Sequence, residues 1–179
     1  MTNIYDKNSP HKENGLIYSN TRFGSVSKNF NRIVNRFVED EELVRLLVRT
    51  DSDAKDDTVP ITREEKDQAL NRSIRTTPVN PKDKVLENFI FVGVSNIVPL
   101  GNGNSVSYAV IIDVACNIQN WVLDDGTMRH IEILGRIDAL LNATKMDSFG
   151  SVRFIGANAL KINEEMSGLT AIYSIGELN

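Results

Sequence analysis

The sequence predicts an α+β protein. An antiparallel sheet is packed by one helix, in the order β-β-α-β-β, behind two or three N-terminal helices and an extended arm. Three observations lead there. Charge is unevenly spread: residues 1–84 hold 15 Lys/Arg and 14 Asp/Glu, net +1, whereas residues 85–179 hold 5 and 10, net −5. Apolar residues step by three and four in the first half and by two from Val85 onward. The one helical stretch of the second half, 127–142, lies between two pairs of strand-like runs.

Bulk composition sets the outer bounds. A chain of 179 residues with 41% hydrophobic and 25% charged side chains buries one substantial core and is not wholly disordered. A net charge of −4 argues against a general DNA-coating or polybasic membrane-binding role. The single cysteine, Cys116, excludes an intramolecular disulfide framework and a Cys-rich zinc site. No apolar run reaches the ~18–20 residues that span a bilayer, and no apolar signal core opens the chain, so a soluble, unsecreted protein is expected.

Three regions follow: a polar N-terminal arm over 1–26, a highly charged helical region over 27–84 with a loop at 50–61, and an α+β sheet domain over 85–179. The arm is rich in Asn, Ser, Lys and Gly but carries Tyr5, Leu16, Ile17, Tyr18 and Phe23. It reads either as a disordered tail or as an arm lying on a neighbouring subunit with its aromatics in pockets. Phe30, Ile33, Val34, Phe37 and Val38 form one stripe and predict a helix from Ser27, its N-cap, to Val38. Asp40 caps a second helix, which has acids in its first turn and Arg45 and Arg49 toward its end. The carboxylates of Asp51, Asp53, Asp56 and Asp57 invite a calcium loop. Asp56 stands where such a loop needs glycine, and Thr62 where it needs glutamate, so a solvated loop is expected. Thr62 and Glu65 form a capping box that opens a mostly exposed helix to about Arg75. Pro78 and Pro81 make an extended connector.

Beyond it, Asn88–Val94 predicts a strand and 96–104 a loop containing Pro99, Gly101 and Gly103. From Ser105 to Ile118, the apolar set Val106, Tyr108, Val110, Ile112, Val114 and Cys116 predicts a strand with that set on the core. Cys116 is then a small buried hydrophobe, while Asp113 faces a partly wet side. Asp124, Asp125 and Thr127 supply caps for the following helix, whose expected buried stripe is Met128, Ile131, Leu134, Ile137, Leu140 and Leu141. Two more strands, 152–157 and 169–175, complete the sheet.

Catalytic signals are sparse. His11 lies in the arm, and His130 reads as an exposed residue of a first helical turn with no catalytic company. Gly101-Asn102-Gly103 lacks the Lys-Ser/Thr of a phosphate loop. Lys28, Arg32 and Arg36 step by four, but the acids Glu39–Glu42 offset them as a nucleic-acid stripe. Asp113, Asp124 and Asp125 are the remaining carboxylates for acid–base work, and capping is the better account of the last two. No catalytic, cofactor-binding or metal residue is assigned, and no enzyme activity or cofactor is expected. The alternatives to an assembly protein are a small enzyme using those three aspartates, or a host-directed binding module using an exposed 50–84 region.

From Tyr108 to Leu178, the run Asn120-Trp121-Val122-Leu123-Asp124-Asp125-Gly126-Thr127, the helix with Ile137-Asp138-Ala139-Leu140-Leu141-Asn142, Phe154-Ile155-Gly156-Ala157 and Gly168-Leu169-Thr170-Ala171-Ile172-Tyr173 resemble neck and tail-completion proteins of tailed bacteriophages, including the tail terminator group. Leu46-Leu47 with Thr50-Asp51 and Asp53 is similar to the N-terminal part of such virion proteins. The likeness covers 27–178 in layout and 108–178 in residue detail; the charged 50–84 stretch and the arm depart from the smallest members. It implies a structural virion protein without catalysis. Six copies would form a homo-oligomeric ring at the head-proximal end of the tail, contacting tail tube and neck or connector proteins. DNA would pass through without specific binding, no membrane would be involved, and assembly would occur in the host cytoplasm. A connector ring bound to the portal is the neighbouring alternative.

Overall fold

The computed structural model describes residues 22–52, 54–78, 87–100, 105–142 and 151–176. Most of the predicted arm, and the Gly101–Gly103 segment, lie outside them. The elements are helices α1 (Arg22–Glu39), α2 (Glu41–Val48) and α3 (Arg63–Gln68), which continues as a wide π turn over Ala69–Ser73, then strands β1 (Ile74–Arg75), β2 (Phe89–Leu100) and β3 (Ser105–Asn117). A short 3-10 turn (Ile118–Asn120), helix α4 (Arg129–Asn142) and strands β4 (Ser151–Lys161) and β5 (Met166–Gly176) follow. The five strands form one sheet in the order β1-β2-β3-β5-β4. The α+β class and the β-β-α-β-β order are as the periodicity predicts. One addition is that the sheet is mixed: β1 pairs parallel to β2, through Ile74 with Ile90 and Arg75 with Phe91. Two residues are too few to show a period, so the sequence reads that stretch as the end of a helix.

Helix α1 begins at Arg22, five residues earlier than predicted, so Ser27 is an exposed interior residue and not a cap. Val26 extends the stripe Phe30, Ile33, Phe37 back by one turn. The Gly24-Ser25 pair, poor in helix propensity, masks that continuation. At Asp40 the chain leaves helical geometry (φ −82°, ψ 111°), and the carboxylate accepts the Leu43 N–H at 2.9 Å, capping α2 as expected. Thr62 and Glu65 form both halves of the capping box of α3. That helix keeps regular geometry only to Gln68, short of the predicted Arg75. Ala69 and Ser73 then turn inward and are fully buried, and the wide turn hands the chain to β1. The region 50–84 is therefore not simply an exposed insertion: Ala54, Ala69, Ser73 and Ile74 are all buried.

Strand β2 runs to Leu100, through part of the predicted loop. It does so across an irregularity between Ser95 and Val98, where Asn96 adopts φ +51°. Asparagine tolerates the left-handed region better than most residues, and the extra residue re-aims the strand. The even set of β3, Val106 to Cys116, is buried as predicted. Antiparallel register puts Val92, Ala171, Tyr173 and Ile175 on that same face, and α1, α2 and α4 cover it with Ile33, Phe37, Leu43, Leu46, Leu47, Ile133, Ile137 and Leu141 in one continuous core. The opposite face, with Phe91, Ile111, Asp113, Thr170 and Ile172, is half-buried. No helix among the described residues is long and apolar enough to cross a membrane.

Helix α4 buries Ile137 and Leu141 as predicted and packs Leu134 and Leu140 half-buried against the core, but the start of its stripe differs. Arg129, His130, Ile133, Ile137 and Leu141 are buried, whereas Met128 and Ile131 stand 53% and 47% exposed. Hydrophobicity favours Met128 and Ile131 at the head of the helix, where the fold buries Arg129, His130 and Ile133 instead.

Candidate assembly surface and the clamp that holds it

Charged side chains fix the helical layer to α4. Arg129 is fully buried, and its guanidinium donates to Asn120 O (2.8 Å), Leu46 O (3.0 Å), Arg49 O (2.6 Å), Thr50 O (3.3 Å) and Asp51 O. Four of these carbonyls lie at or beyond the C-terminal end of α2, where the helix dipole favours a cation. Arg136 of α4 grips the other end of the same helix. It binds both carboxylate oxygens of Asp40 (2.9 and 2.6 Å) and reaches Glu42 at 3.0 Å. Lys55 crosses from the 50–61 loop to Asp125 (2.7 Å) and Glu132 (3.0 Å), and Arg36 of α1 donates to Leu140 O at 3.1 Å. Two of the four described cations of the acidic half, Arg129 and Arg136, thus bind the helical half. Sequence reasoning passes over Arg129; the signal available is an arginine at the head of an otherwise apolar i, i+4, i+8 series.

Burial alone would raise the Asp40 pKa, but the Arg136 guanidinium and the Leu43 amide outweigh it, and the carboxyl is held below its usual value. Asp40→Asn keeps the cap acceptor and removes the ion pair, at an expected cost of about 1–2 kcal/mol at pH 7. A carboxyl depressed in the folded state stabilises fully above its unfolded pKa, about 4, and loses that contribution as pH falls through the folded value. Urea unfolding at pH 7 and below pH 4 should show the gap between variant and parent closing on the acid side. A gap independent of pH would assign the effect to the cap alone.

The residues weighed for chemistry are not gathered. Asp113 sits on the open sheet face and accepts a hydrogen bond from Thr170 Oγ1 at 2.6 Å. Asp125 belongs to the turn before α4 and accepts from Thr127 N and Oγ1. Its hydrogen bonds, first to Lys55 and then to Thr127, hold its carboxyl well below the usual range. Asp124 is exposed beside it, with its N–H on Ser52 O. His130 is a correction. It is 7% exposed, its ring lies 4.7 Å from that of Trp121, and burial lowers its pKa, favouring the neutral ring. Among the described residues no group of three or more His, Cys, Asp or Glu could hold a metal ion. Cys116 is fully buried as expected, and burial pushes its thiol up to about 12 despite the neighbouring Arg129 charge. Native protein at pH 8 should therefore leave a thiol reagent such as DTNB unreduced over minutes, with one equivalent reacting in denaturant. Prompt reaction without denaturant would show that this part of the core opens.

The surface that does stand out is apolar. Val122 and Met128 pair across the turn before α4, and Ile131 continues the strip one turn on. It opens into a groove between α4 and the edge strand β4, walled by Ile131, Leu134, Gly135, Asp138 and Asn142 on one side and by Phe154 and Tyr173 on the other. The Phe154 and Tyr173 rings meet edge to face at 5.4 Å, and Ile155 beside them is 49% exposed at a strand irregularity. The Tyr173 hydroxyl is buried, and its pKa is pushed up by burial and then by the facing Asp138 carboxylate. At the opposite edge of the sheet, Phe23, Val26 and Phe30 of α1 line a second hollow with Val92, Val94 and Ile97 of β2. One side of the molecule thus presents a strand edge beside an apolar groove, and the other an apolar helix root beside the exposed end of β2.

Two unlike apolar surfaces thus flank a clamped two-layer α+β body. Residues 40–175 match the YomW family model, and the chain belongs to that family. The family is phage-associated, being named after a product of a Bacillus phage region of the SPbeta type. No curated protein matches the chain.

Proposed function

We propose that this chain is a structural virion protein of a tailed phage. It acts by self-assembly without catalysis, as a ring at the head-proximal end of the tail that caps the tail tube and joins it to the neck. The observation that carries this reading is the pair of unlike apolar edges at opposite ends of one sheet. A surface that meets a different surface on the next copy makes a heterologous contact, which closes into a ring when the rotation allows. Membership of a phage-associated family supports the setting. The scatter of Asp113, Asp124 and Asp125 supports a role without acid–base chemistry. An acidic sheet half, net −5, suits a channel wall that repels DNA phosphates.

Interrupting the gene in its phage and imaging the lysate tests the reading. Tail tubes of uncontrolled length beside tailless heads are expected. Tails of normal length beside heads that leak DNA would move the ring to the portal as a connector. Intact infectious particles would overturn both. Native mass spectrometry of the purified chain, alone and with tail-tube protein, gives the subunit number, with six expected.

A further inference from the structure

We propose that the groove between α4 and β4 receives residues 1–21 of a second copy of this chain. The inference rests on the self-assembly reading but not on the ring's place in a virion. Three features of the groove look unfinished in the single chain. Gly135 stands in the interior of α4, where glycine disfavours a helix relative to alanine, yet a Cβ there would meet nothing within 4 Å. No internal contact requires glycine at this position; its effect is to leave helix backbone bare for close approach by another group. Tyr173 brings a buried hydroxyl and Asp138 a facing carboxylate to the same otherwise apolar walls, a polar pair that peptide N–H and C=O groups can join. β4 is the end strand of the sheet, and among the described residues no strand pairs with its outer backbone edge.

An extended peptide answers all three. Its N–H and C=O groups pair with the β4 edge, Asp138 and Tyr173, and a large side chain lies against Gly135. The arm carries Leu16-Ile17-Tyr18 and Ile4-Tyr5 for that purpose, and its 21 residues reach roughly 70 Å when extended. It enters the described structure at Arg22, where Phe23, Val26 and Phe30 lie against the part of β2 that runs past the two-residue edge strand β1, on the side of the sheet away from β4. Head-to-tail neighbours bring that root beside the next copy's groove. Binding within one copy would instead route the arm around the helical layer.

The full chain carrying Tyr18→p-benzoylphenylalanine, irradiated as a mixture of isotope-labelled and unlabelled protein, tests this. Cross-links from position 18 to α4 or β4 of the other isotopic form are expected. Gly135→Leu should keep or raise thermal stability while lowering that cross-link by roughly tenfold or more, and Ile131→Glu should lower it as well. Cross-links confined to one copy, or to the open sheet face, would overturn the proposal. So would an intermolecular cross-link indifferent to Gly135→Leu. Rings that assemble normally while the cross-link is absent would sink the arm's role and leave self-assembly standing. A chain that stays monomeric even with tail-tube protein would sink self-assembly, and the arm's role with it.

Discussion

Arg129→Met is expected to lower the unfolding free energy by about 3–5 kcal/mol, the range for disrupting a buried polar network. Five carbonyl oxygens, from Asn120, Leu46, Arg49, Thr50 and Asp51, share this one guanidinium. Methionine fills much of the volume but donates nothing, so carbonyls at the end of α2 must pair with water or remain unsatisfied. Arg129→Lys retains the charge on three donors in place of a planar fork of five and should recover only part of the loss. In urea titrations followed by far-UV circular dichroism, the order parent, Lys, Met is expected. A methionine variant within about 1 kcal/mol of the parent would mean that these carbonyls are already satisfied by solvent.

Gly168→Ala should cost about 3 kcal/mol or more, for the addition of one methyl group. Gly168 is buried on β5 opposite Ala115 of β3, and a Cβ there would overlap the Val114 carbonyl oxygen and crowd the Ala115 Cα at 3.3 Å. The obstacle is backbone in the middle of the sheet, so no rotamer change relieves it. Gly176, later on the same strand, is the control: a Cβ there would meet nothing within 4 Å, and Gly176→Ala should fall within about 0.5 kcal/mol of the parent. Chemical denaturation of the two variants side by side makes the comparison. Equal, small effects at the two positions would show that the β3–β5 pair can spread without loss.

The elements legible in sequence are those with a long, clean period. β3 alternates over its whole length, and its six even positions are buried. The caps at Asp40 and Thr62 are legible because they depend on residues three positions apart. Legibility fails where a short or polar segment takes its conformation from a distant partner. β1 exists because Ile74 and Arg75 pair with Ile90 and Phe91. The first turn of the α4 stripe is misread because Arg129 and His130, polar by type, are buried by contacts with the end of α2 and with Trp121. The proposed assembly surface is only half legible. The aromatics of the arm are visible, but the groove depends on α4, β4 and β5, which converge only in the fold.

By itself, then, the sequence determined the α+β class, the core strand, the capped helix starts and the division of charge, because each is a local pattern of chemistry along the chain. Only the tertiary structure decided that the sparse cations of the acidic half clamp the helical layer and that the two sheet edges differ. Those outcomes turn on which distant groups a buried arginine or an exposed edge meets, and no spacing along the chain encodes that distance.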